Sequence, residues 1–193
     1  MSSASELREI ALVEFAGSGY SGTSIQRIAD VAGLSKSAVL YHYASKELLL
    51  DAAIRPAIEE MEGMLADLES RPLTAEYREG FLLRFVDFLL ENRLEVHLFI
   101  NQGPSLVEVP AIGRANDLVR RLADYFASNT ASTEEKMRFG IALGGAAYML
   151  CTEQSLELEA APVDEARGAL ITILTELLAP IGVRGDPIER IGT

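Results

Sequence analysis

The chain has 193 residues, of which 49% are hydrophobic and 24% are charged, and its net charge is −12 at neutral pH. A chain of this length and composition can bury a core as one compact unit or as two small joined domains. No apolar run is long enough to span a bilayer, no signal peptide opens the chain, and the single cysteine, Cys151, excludes an internal disulfide. We therefore expect a cytoplasmic protein.

The first 46 residues predict three helices. The first ends near residues 17–19, and Thr23 with Gln26 predicts a capping box that starts the second helix. Gly33 predicts a sharp turn in the left-handed conformation. Ser35 is placed to cap a third helix whose first turn carries only short or basic side chains, as entry into a major groove requires. Two helices joined by a tight glycine-containing turn predict a helix-turn-helix.

A longer run of residue types extends this motif. It consists of Ala11, Phe15, Gly19-Tyr20, Thr23-Ser24, Ile28-Ala29, Ala32-Gly33-Leu34-Ser35-Lys36, Tyr41-His42-Tyr43 and Ser45-Lys46-Glu47. With these residues the region resembles the DNA-binding domain of the tetracycline-repressor-like (TetR) family of bacterial transcription regulators. The resemblance covers about a quarter of the chain and is too long for a chance helix-turn-helix pattern.

The resemblance implies a set of DNA contacts, in which phosphate contacts set the register and base-edge contacts read the sequence. Groove contacts are expected from the third helix with Gln26 reaching in, and phosphate contacts from Thr23, Ser24 and Lys46. The predicted DNA-binding residues are Thr23, Ser24, Gln26, Lys36, Ser37, Ala38, Tyr41, His42 and Lys46. The chain departs from the family at Leu40, where relatives commonly have a tyrosine, and at Ser37. The alternative is an ordinary helical hairpin with solvated side chains.

Charge is distributed unevenly along the chain. Residues 1–50 hold four Lys or Arg and five Asp or Glu, whereas the remaining residues hold 13 and 24. The acidity therefore belongs mostly to the second part, and the first part is nearly neutral. Because few phosphates would be neutralised, we expect weak non-specific DNA binding and a shallow salt dependence.

Beyond residue 46 the pattern predicts six more helices, for an all-α fold of about nine helices. They are expected at about 45–70, 74–91, 94–101, 111–127, 132–153 and 162–179. Pro56 falls inside the first of these, where it either kinks one helix or separates two. The predicted domains are a helix-turn-helix domain (1–46) and an effector-binding and dimerisation domain (47–193).

Helix five carries an aromatic stripe, which is typical of a core, but the resemblance implies a small-molecule effector inside this domain. Both can hold if one end of the stripe packs and the other lines a pocket. The predicted effector-binding residues are Met61, Met64, Phe81, Phe85, Phe88, His97, Asn101 and Tyr148. For His97 the alternative is a satisfied or surface histidine, and for the methionines it is gap-filling.

Helix eight is apolar on two faces, so it must be covered twice. The resemblance implies that helices eight and nine pair with their copies in a homodimer, and the alternative is that both complete a monomer core. The predicted dimer residues are Phe139, Ala142, Leu143, Ala146, Leu150, Ala166, Leu170, Ile173, Leu174 and Leu177.

Nothing in the sequence predicts catalysis. No Cys/His cluster has the spacing of metal ligands, and the glycines at 140, 144 and 145 lie in a helical pattern rather than in a phosphate loop. No metal, cofactor or catalytic residue is expected, so the chain is not expected to be an enzyme. The sequence predicts a homodimeric repressor, released from a near-palindromic double-stranded DNA operator by a largely hydrophobic effector. The alternative is a helical small-molecule-binding or enzymatic protein that has lost DNA binding.

Overall fold

The computed structural model describes residues 4–106, 109–130, 132–152 and 161–181. These residues form nine α-helices and a short 3-10 turn (Gly103–Ser105) without any strand, which confirms the all-α prediction. The helices are α1 (Ala4–Ser18), α2 (Ile25–Val31), α3 (Lys36–His42), α4 (Lys46–Glu69), α5 (Ala75–Glu91), α6 (Arg93–Gln102), α7 (Pro110–Asn129), α8 (Thr133–Thr152) and α9 (Val163–Leu178).

Side-chain caps explain why four of these helices begin where the sequence predicts. The hydroxyls of Ser35, Ser45 and Thr74 each accept a hydrogen bond from the backbone N–H three residues later. Ser132 and Glu135 form the predicted reciprocal capping box, with N···O distances of 3.1 and 3.2 Å. Each cap satisfies a backbone donor that the first helical turn leaves unpaired.

The predicted capping box at Thr23 and Gln26 is wrong by one residue. Ser24 is the N-cap of α2, and its hydroxyl accepts from the Arg27 amide at 3.1 Å. Thr23 is instead 2% exposed, and its hydroxyl lies 2.9 and 2.8 Å from the carbonyl oxygens of Glu14 and Gly19. The Thr23 side chain is thus turned inward and bonds to the end of α1 rather than to the start of α2.

Helix α4 is one continuous helix through Pro56, so the alternative of two separate helices is wrong. It packs against α1 at one end and against α7 along its length. Helix α6 contacts both α1 and α8, and α5 and α8 both pack on α9. Of the first three helices, α1 thus packs on both α4 and α6, whereas α2 packs on α1 and α3 packs on α2.

No described helix combines the length and the apolar composition that crossing a membrane would require. The cap predicted at Ser3 lies outside the described residues.

Candidate nucleic-acid interface and ligand cavity

The turn between α2 and α3 is closed by backbone hydrogen bonds. Gly33 has a φ of 66°, as predicted for the left-handed position of this turn. The Leu34 amide donates to the Ala29 carbonyl at 2.9 Å and the Gly33 amide to the Asp30 carbonyl at 3.2 Å. These two bonds form a Schellman motif, which ends α2 and lets Ser35 start α3 immediately. The angle between the two helices is therefore fixed by local chemistry.

Helix α3 buries one side and exposes the other. Val39 is completely buried and anchors the helix to the core, whereas Tyr41 is 87% exposed. Lys36 and Ser37 are also exposed, and the Tyr41 ring meets the ring of His42 edge-on at 5.6 Å between centroids. Ala38 is half-buried. The outer face of α3 is therefore a basic and aromatic surface on a rigid, doubly capped helix.

The three residues predicted at the start of α2 differ in how they are placed. Thr23 is buried, whereas Ser24 and Gln26 are exposed. The Gln26 amide nitrogen donates to the Asp30 carboxylate at 2.7 Å along α2. A DNA contact by Gln26 would have to compete with that bond. The buried Thr23 hydroxyl offers nothing to a phosphate without a rearrangement of the turn after α1.

The Lys46 side chain is not free in solvent, as a residue waiting to bind a phosphate would be. Its ammonium donates to the backbone carbonyls of Tyr20 at 2.8 Å and Thr23 at 3.0 Å. It also lies 4.1 Å from the centre of the Tyr20 ring, a cation–π distance. Burial lowers the pKa of the Lys46 ammonium below its ordinary value. The lysine thus ties the start of α4 to the segment that joins α1 to α2.

The positive charge of this domain is largely occupied within the chain. Arg27 forms an ion pair with Glu14 at 2.9 Å, and Arg8 donates to the hydroxyl of Ser5. Among the Lys and Arg residues at positions 4–50, Lys36 is the one for which the structure shows no hydrogen bond or ion pair. The α3 surface therefore presents one unpaired cation per chain.

A cavity of about 410 Å³ lies in the second part of the chain. Its size falls in the range of pockets that hold small molecules. Its walls come from α4, α5, α6, α7 and α8, and most of its lining is aliphatic or aromatic. The lining residues are Ile54, Ala57, Ile58, Met61, Phe85, Phe88, Leu89, Glu95, Val96, Leu98, Phe99, Ile100, Ile112, Ala115, Leu118, Val119, Leu122, Leu143, Gly144, Ala147 and Tyr148.

The cavity takes in half of the residues predicted for an effector. Met61, Phe85, Phe88 and Tyr148 are part of its lining. The other four lie elsewhere: Met64, Phe81, His97 and Asn101.

Two of those four differ because their helix turns them toward another neighbour. Phe81 is 1% exposed and packs against Phe126 and Phe85, with ring centroids 5.8 Å apart in both pairs. His97 faces α8, where its Nδ1 lies 3.0 Å from the carbonyl oxygen of Cys151. One end of the α5 stripe thus packs in the core while Phe85 and Phe88 line the cavity.

Sequence reasoning missed the α7 wall, the apolar lining residues of α6 and one carboxyl group. The α7 wall repeats apolar residues every three or four positions, from Ile112 to Leu122, and that spacing could have identified it. Glu95 lies in the first turn of α6 and lines the cavity. Burial raises the pKa of the Glu95 carboxyl above its ordinary value; a hydrogen bond from its own backbone offsets part of this rise, and the charge of Glu60 adds a smaller one.

Helix α6 joins the cavity to α1 and the segment that follows α1. Val96 and Phe99 line the cavity, and Gln102 ends the same helix. The Gln102 side chain accepts from the Tyr20 amide at 2.6 Å and donates to the Phe15 carbonyl at 2.9 Å. The Gln102 side chain therefore bonds to both a backbone N–H and a backbone carbonyl at the end of α1.

Six of the predicted dimer residues are buried within the chain itself. Each is at most 8% exposed within one chain: Phe139, Ala142, Leu143, Ala146, Leu150 and Leu174. On α9, Ile173 is 57% exposed, and the side chains of Ala166, Leu170 and Leu177 are half-buried. The predicted face of α8 is thus its inner face, because it covers the core that α5 and α9 share.

The outer face of α8 is apolar and exposed. Met137 and Ile141 are each 63% exposed, and Tyr148 is 56% exposed. Gly140 and Gly144 lie between them on the same face, and a Cβ built on either would meet nothing within 4 Å. Among the residues that the structure describes, no close contact requires these glycines.

Comparison with known proteins supports the first domain most directly. Residues 7–53 match the family model for bacterial regulatory proteins of the tetR family. The transcriptional repressor KstR2 of Mycobacterium tuberculosis is 25% identical over 113 residues, which span 58% of this chain and 56% of the relative. The transcriptional regulator RutR of Escherichia coli is 38% identical over 87 residues, or 45% of this chain and 37% of the relative. The match thus spans about half of the KstR2 repressor's length and about a third of RutR's.

Solved structures extend the likeness of the fold to nearly the whole chain. The ketosteroid transcriptional regulator KstR2 of Mycobacterium tuberculosis superposes with a TM-score of 0.72 at 17% identity, covering 92% of this chain and 94% of the other. A TetR-family regulator from Streptomyces coelicolor gives a TM-score of 0.68 at 24% identity, with 89% of each chain covered. At these identities the likeness establishes the arrangement of helices.

Proposed function

We propose that this chain, whose N-terminal domain belongs to the tetR family of bacterial regulatory proteins, is a DNA-binding transcription regulator that represses and is released by a small effector. The observation that carries the proposal is the outer face of α3. Tyr41 is almost fully exposed there on a helix capped at its start and anchored by Val39. An exposed aromatic residue on a rigid helix suits contact with DNA better than it suits solvent.

Specific reading would come from α3, and the rest of the domain would position it. Lys36, Ser37, Tyr41 and His42 form the exposed face that enters the groove, with Ala38 beside them. Ser24 and Gln26 border that face from α2, and Thr23 and Lys46 hold the turn behind it. Because Lys36 is the unpaired cation of this face, affinity would depend on fit more than on charge.

A second copy of the chain would place two such faces on one operator. We propose that it binds along the outer face of α8 and the exposed side of α9, where Met137, Ile141 and Ile173 face solvent. Apolar side chains this exposed are typical of a surface that another protein covers. A two-fold dimer with reading helices about 34–36 Å apart would favour a near-palindromic operator.

The effector would act through α6. A molecule in the cavity contacts Val96 and Phe99, and the same helix ends in Gln102, which holds the Tyr20 and Phe15 backbone. An effector that prefers a shifted α6 would therefore prefer a shifted first domain. Release from DNA requires only that differential affinity.

The test is a fluorescence-anisotropy titration of the full chain against DNA from upstream of its own gene. A shuffled sequence of the same composition is the control. We expect tight binding to one near-palindromic segment and a slope of log affinity against log salt that is small for a dimeric regulator.

The competing function is a helical small-molecule-binding protein that no longer binds DNA, and the near neutrality of residues 1–50 favours it. Failure to bind any upstream segment at low salt, with the fold intact by circular dichroism, would favour that function. Light scattering on the same sample separates a loss of DNA binding from a loss of the dimer.

A further inference from the structure

The interior of the cavity offers almost no polar surface. Glu95 is the one residue with a formal charge among the 21 described residues that line it. Very little of the surface that faces the cavity is polar, so the Glu95 carboxyl is not presented to a molecule inside. A hydroxyl, amine or carboxylate placed in the interior would lose its water and find almost no polar atom to bond with, which is unfavourable.

The exposed lining residues show where the cavity opens. Three of the 21 described lining residues are exposed, namely Val119 of α7 with Gly144 and Tyr148 of α8, and the others are buried or half-buried. Val119 is 53% exposed and Tyr148 is 56% exposed. Because a residue that both lines a cavity and faces solvent lies at its rim, these three residues form a mouth between α7 and α8.

The packing of α7 on α8 explains why the mouth lies there. The buried rings of Phe126 and Phe139 stack near the turn that joins the two helices, with their centroids 4.0 Å apart. This stack holds α7 and α8 together at one end, and both helices line the cavity further along. Gly144 has no side chain to narrow the opening, and a Cβ built on it would meet nothing within 4 Å.

We propose that the cavity binds a molecule with a long apolar part, which fills the interior, and a single polar end, which stays in the mouth and reaches solvent. Molecules with a polar group at both ends would be rejected, because one end would have to be buried without a partner. This inference rests on the proposed function, in which the cavity is the effector site. The polar end would fix the orientation of the ligand, as a few placed polar contacts do in other apolar pockets.

The first test compares decanol, which has a hydroxyl at one end, with the diol of the same chain length, which has one at each end. Isothermal titration of the full chain, without DNA, measures both affinities. We expect decanol to bind and the diol to bind at least about tenfold more weakly, since its second hydroxyl would be buried unpaired. Equal affinities, or no binding of decanol up to its solubility, would overturn the proposal.

The second test asks whether the polar end lies at the mouth. Gly144→Cys places a thiol there, and Gly140→Cys is the matched control, because Gly140 is exposed on the same face of α8 but does not line the cavity. A Cβ at either position meets nothing within 4 Å, so both variants should fold. The wild type measures the background reaction of Cys151, which is buried.

The rate of reaction with an aromatic disulfide, which releases a coloured thiolate, reports how accessible each new thiol is. Saturating decanol should slow the reaction of Gly144→Cys by at least about threefold and leave that of Gly140→Cys unchanged. Unaltered rates in both variants, or equal slowing in both, would contradict binding at the mouth.

The two proposals can fail separately. A chain that prefers decanol to the diol but binds no operator would overturn the proposed function and leave this inference standing. A chain that binds its operator but does not bind decanol would overturn this inference and leave DNA binding intact.

Discussion

The two parts of the chain are stabilised in different ways. Residues 4–45 form three short helices whose ends are fixed by single side chains, such as Ser24, Ser35 and the buried Thr23. Residues 46–181 form longer helices held by apolar burial and by ion pairs between helices, such as Asp87 with Arg167. The first part thus adds local hydrogen bonds to a small apolar core that contains Phe15 and Ile28, whereas the second part surrounds a cavity of about 410 Å³. A surface that reads DNA needs the former property, and a site that admits a ligand needs the latter.

The largest expected effect is on operator affinity, and it should occur without a change in the stability of the fold. Tyr41→Ala should weaken operator binding by at least about 30-fold, because a lost contact of about 1–3 kcal/mol occurs once in each protomer. The melting temperature should not change, since the side chain is 87% exposed. Anisotropy titrations at fixed salt measure the first and a thermal melt the second.

Val13→Ala is the matched control for this variant, because Val13 is 55% exposed but lies on α1. It should leave operator affinity unchanged. Equal affinity of Tyr41→Ala and the wild type would refute the role of the α3 face.

The next effect is on stability, and it concerns the hydrogen bonds by which Gln102 connects the two parts of the chain. Gln102→Ala should lower the free energy of unfolding by about 1–3 kcal/mol, since it leaves the Tyr20 amide and the Phe15 carbonyl without their partner. Hydrogen exchange should also accelerate at the Tyr20 amide. Urea unfolding and exchange mass spectrometry measure these two quantities.

Asn101→Ala is the control for Gln102→Ala. Asn101 precedes Gln102, but its amide bonds to His97 within α6. Unaltered exchange at Tyr20 in Gln102→Ala would mean that the two parts are joined by packing alone.

A smaller effect tests the outer face of α8. Gly140→Ala and Gly63→Ala each place a methyl group where nothing lies within 4 Å, both on exposed positions inside a helix. In an isolated chain each should stabilise by about 0.5–1 kcal/mol through helix propensity. If a second copy packs on α8, Gly140→Ala should weaken the dimer while Gly63→Ala should not. Sedimentation at several concentrations measures the dimer affinity of each variant. An unchanged affinity in both variants would exclude close packing at Gly140.

The smallest effect is a pH dependence in the second part. Hydrogen bonding to Arg167 holds the pKa of Asp87 below its ordinary value. The stabilisation is therefore present above the ordinary aspartate pKa of about 3.9 and is lost as pH falls through the lower folded-state value. Because both side chains are about 40% exposed, it is worth at most about 1 kcal/mol.

Urea unfolding of the wild type and Asp87→Asn at pH 7 and near pH 3 measures this difference. The gap in stability between them should narrow at the lower pH. A constant gap would show that the ion pair does not contribute.

Local patterns predicted the helices well because caps and apolar spacing act within a few residues. The left-handed Gly33 and the capping box at Ser132 are of this kind, and both are confirmed. The cap at Thr23 was misplaced because its hydroxyl serves carbonyls of the preceding helix, which the spacing of residues does not reveal.

The site was harder to predict because its parts meet only in three dimensions. Glu95 has the spacing of any acid in the first turn of a helix, and its place beside the cavity depends on helices far from it in the sequence. The two apolar faces of α8 are alike in sequence, so their inner and outer sides could not be distinguished. Lys46 bonds to carbonyls more than 20 residues earlier in the chain.

Gly144 and Tyr148 belong to both surfaces of α8, since they line the cavity and are exposed on the outer face. A second copy that covers this face would therefore form part of the cavity's rim. Ligand affinity and assembly would then be thermodynamically linked, and the dose of effector needed for half-response would depend on the amount of protein present. A cell could retune such a sensor through its copy number alone, without a change in any residue that the ligand touches.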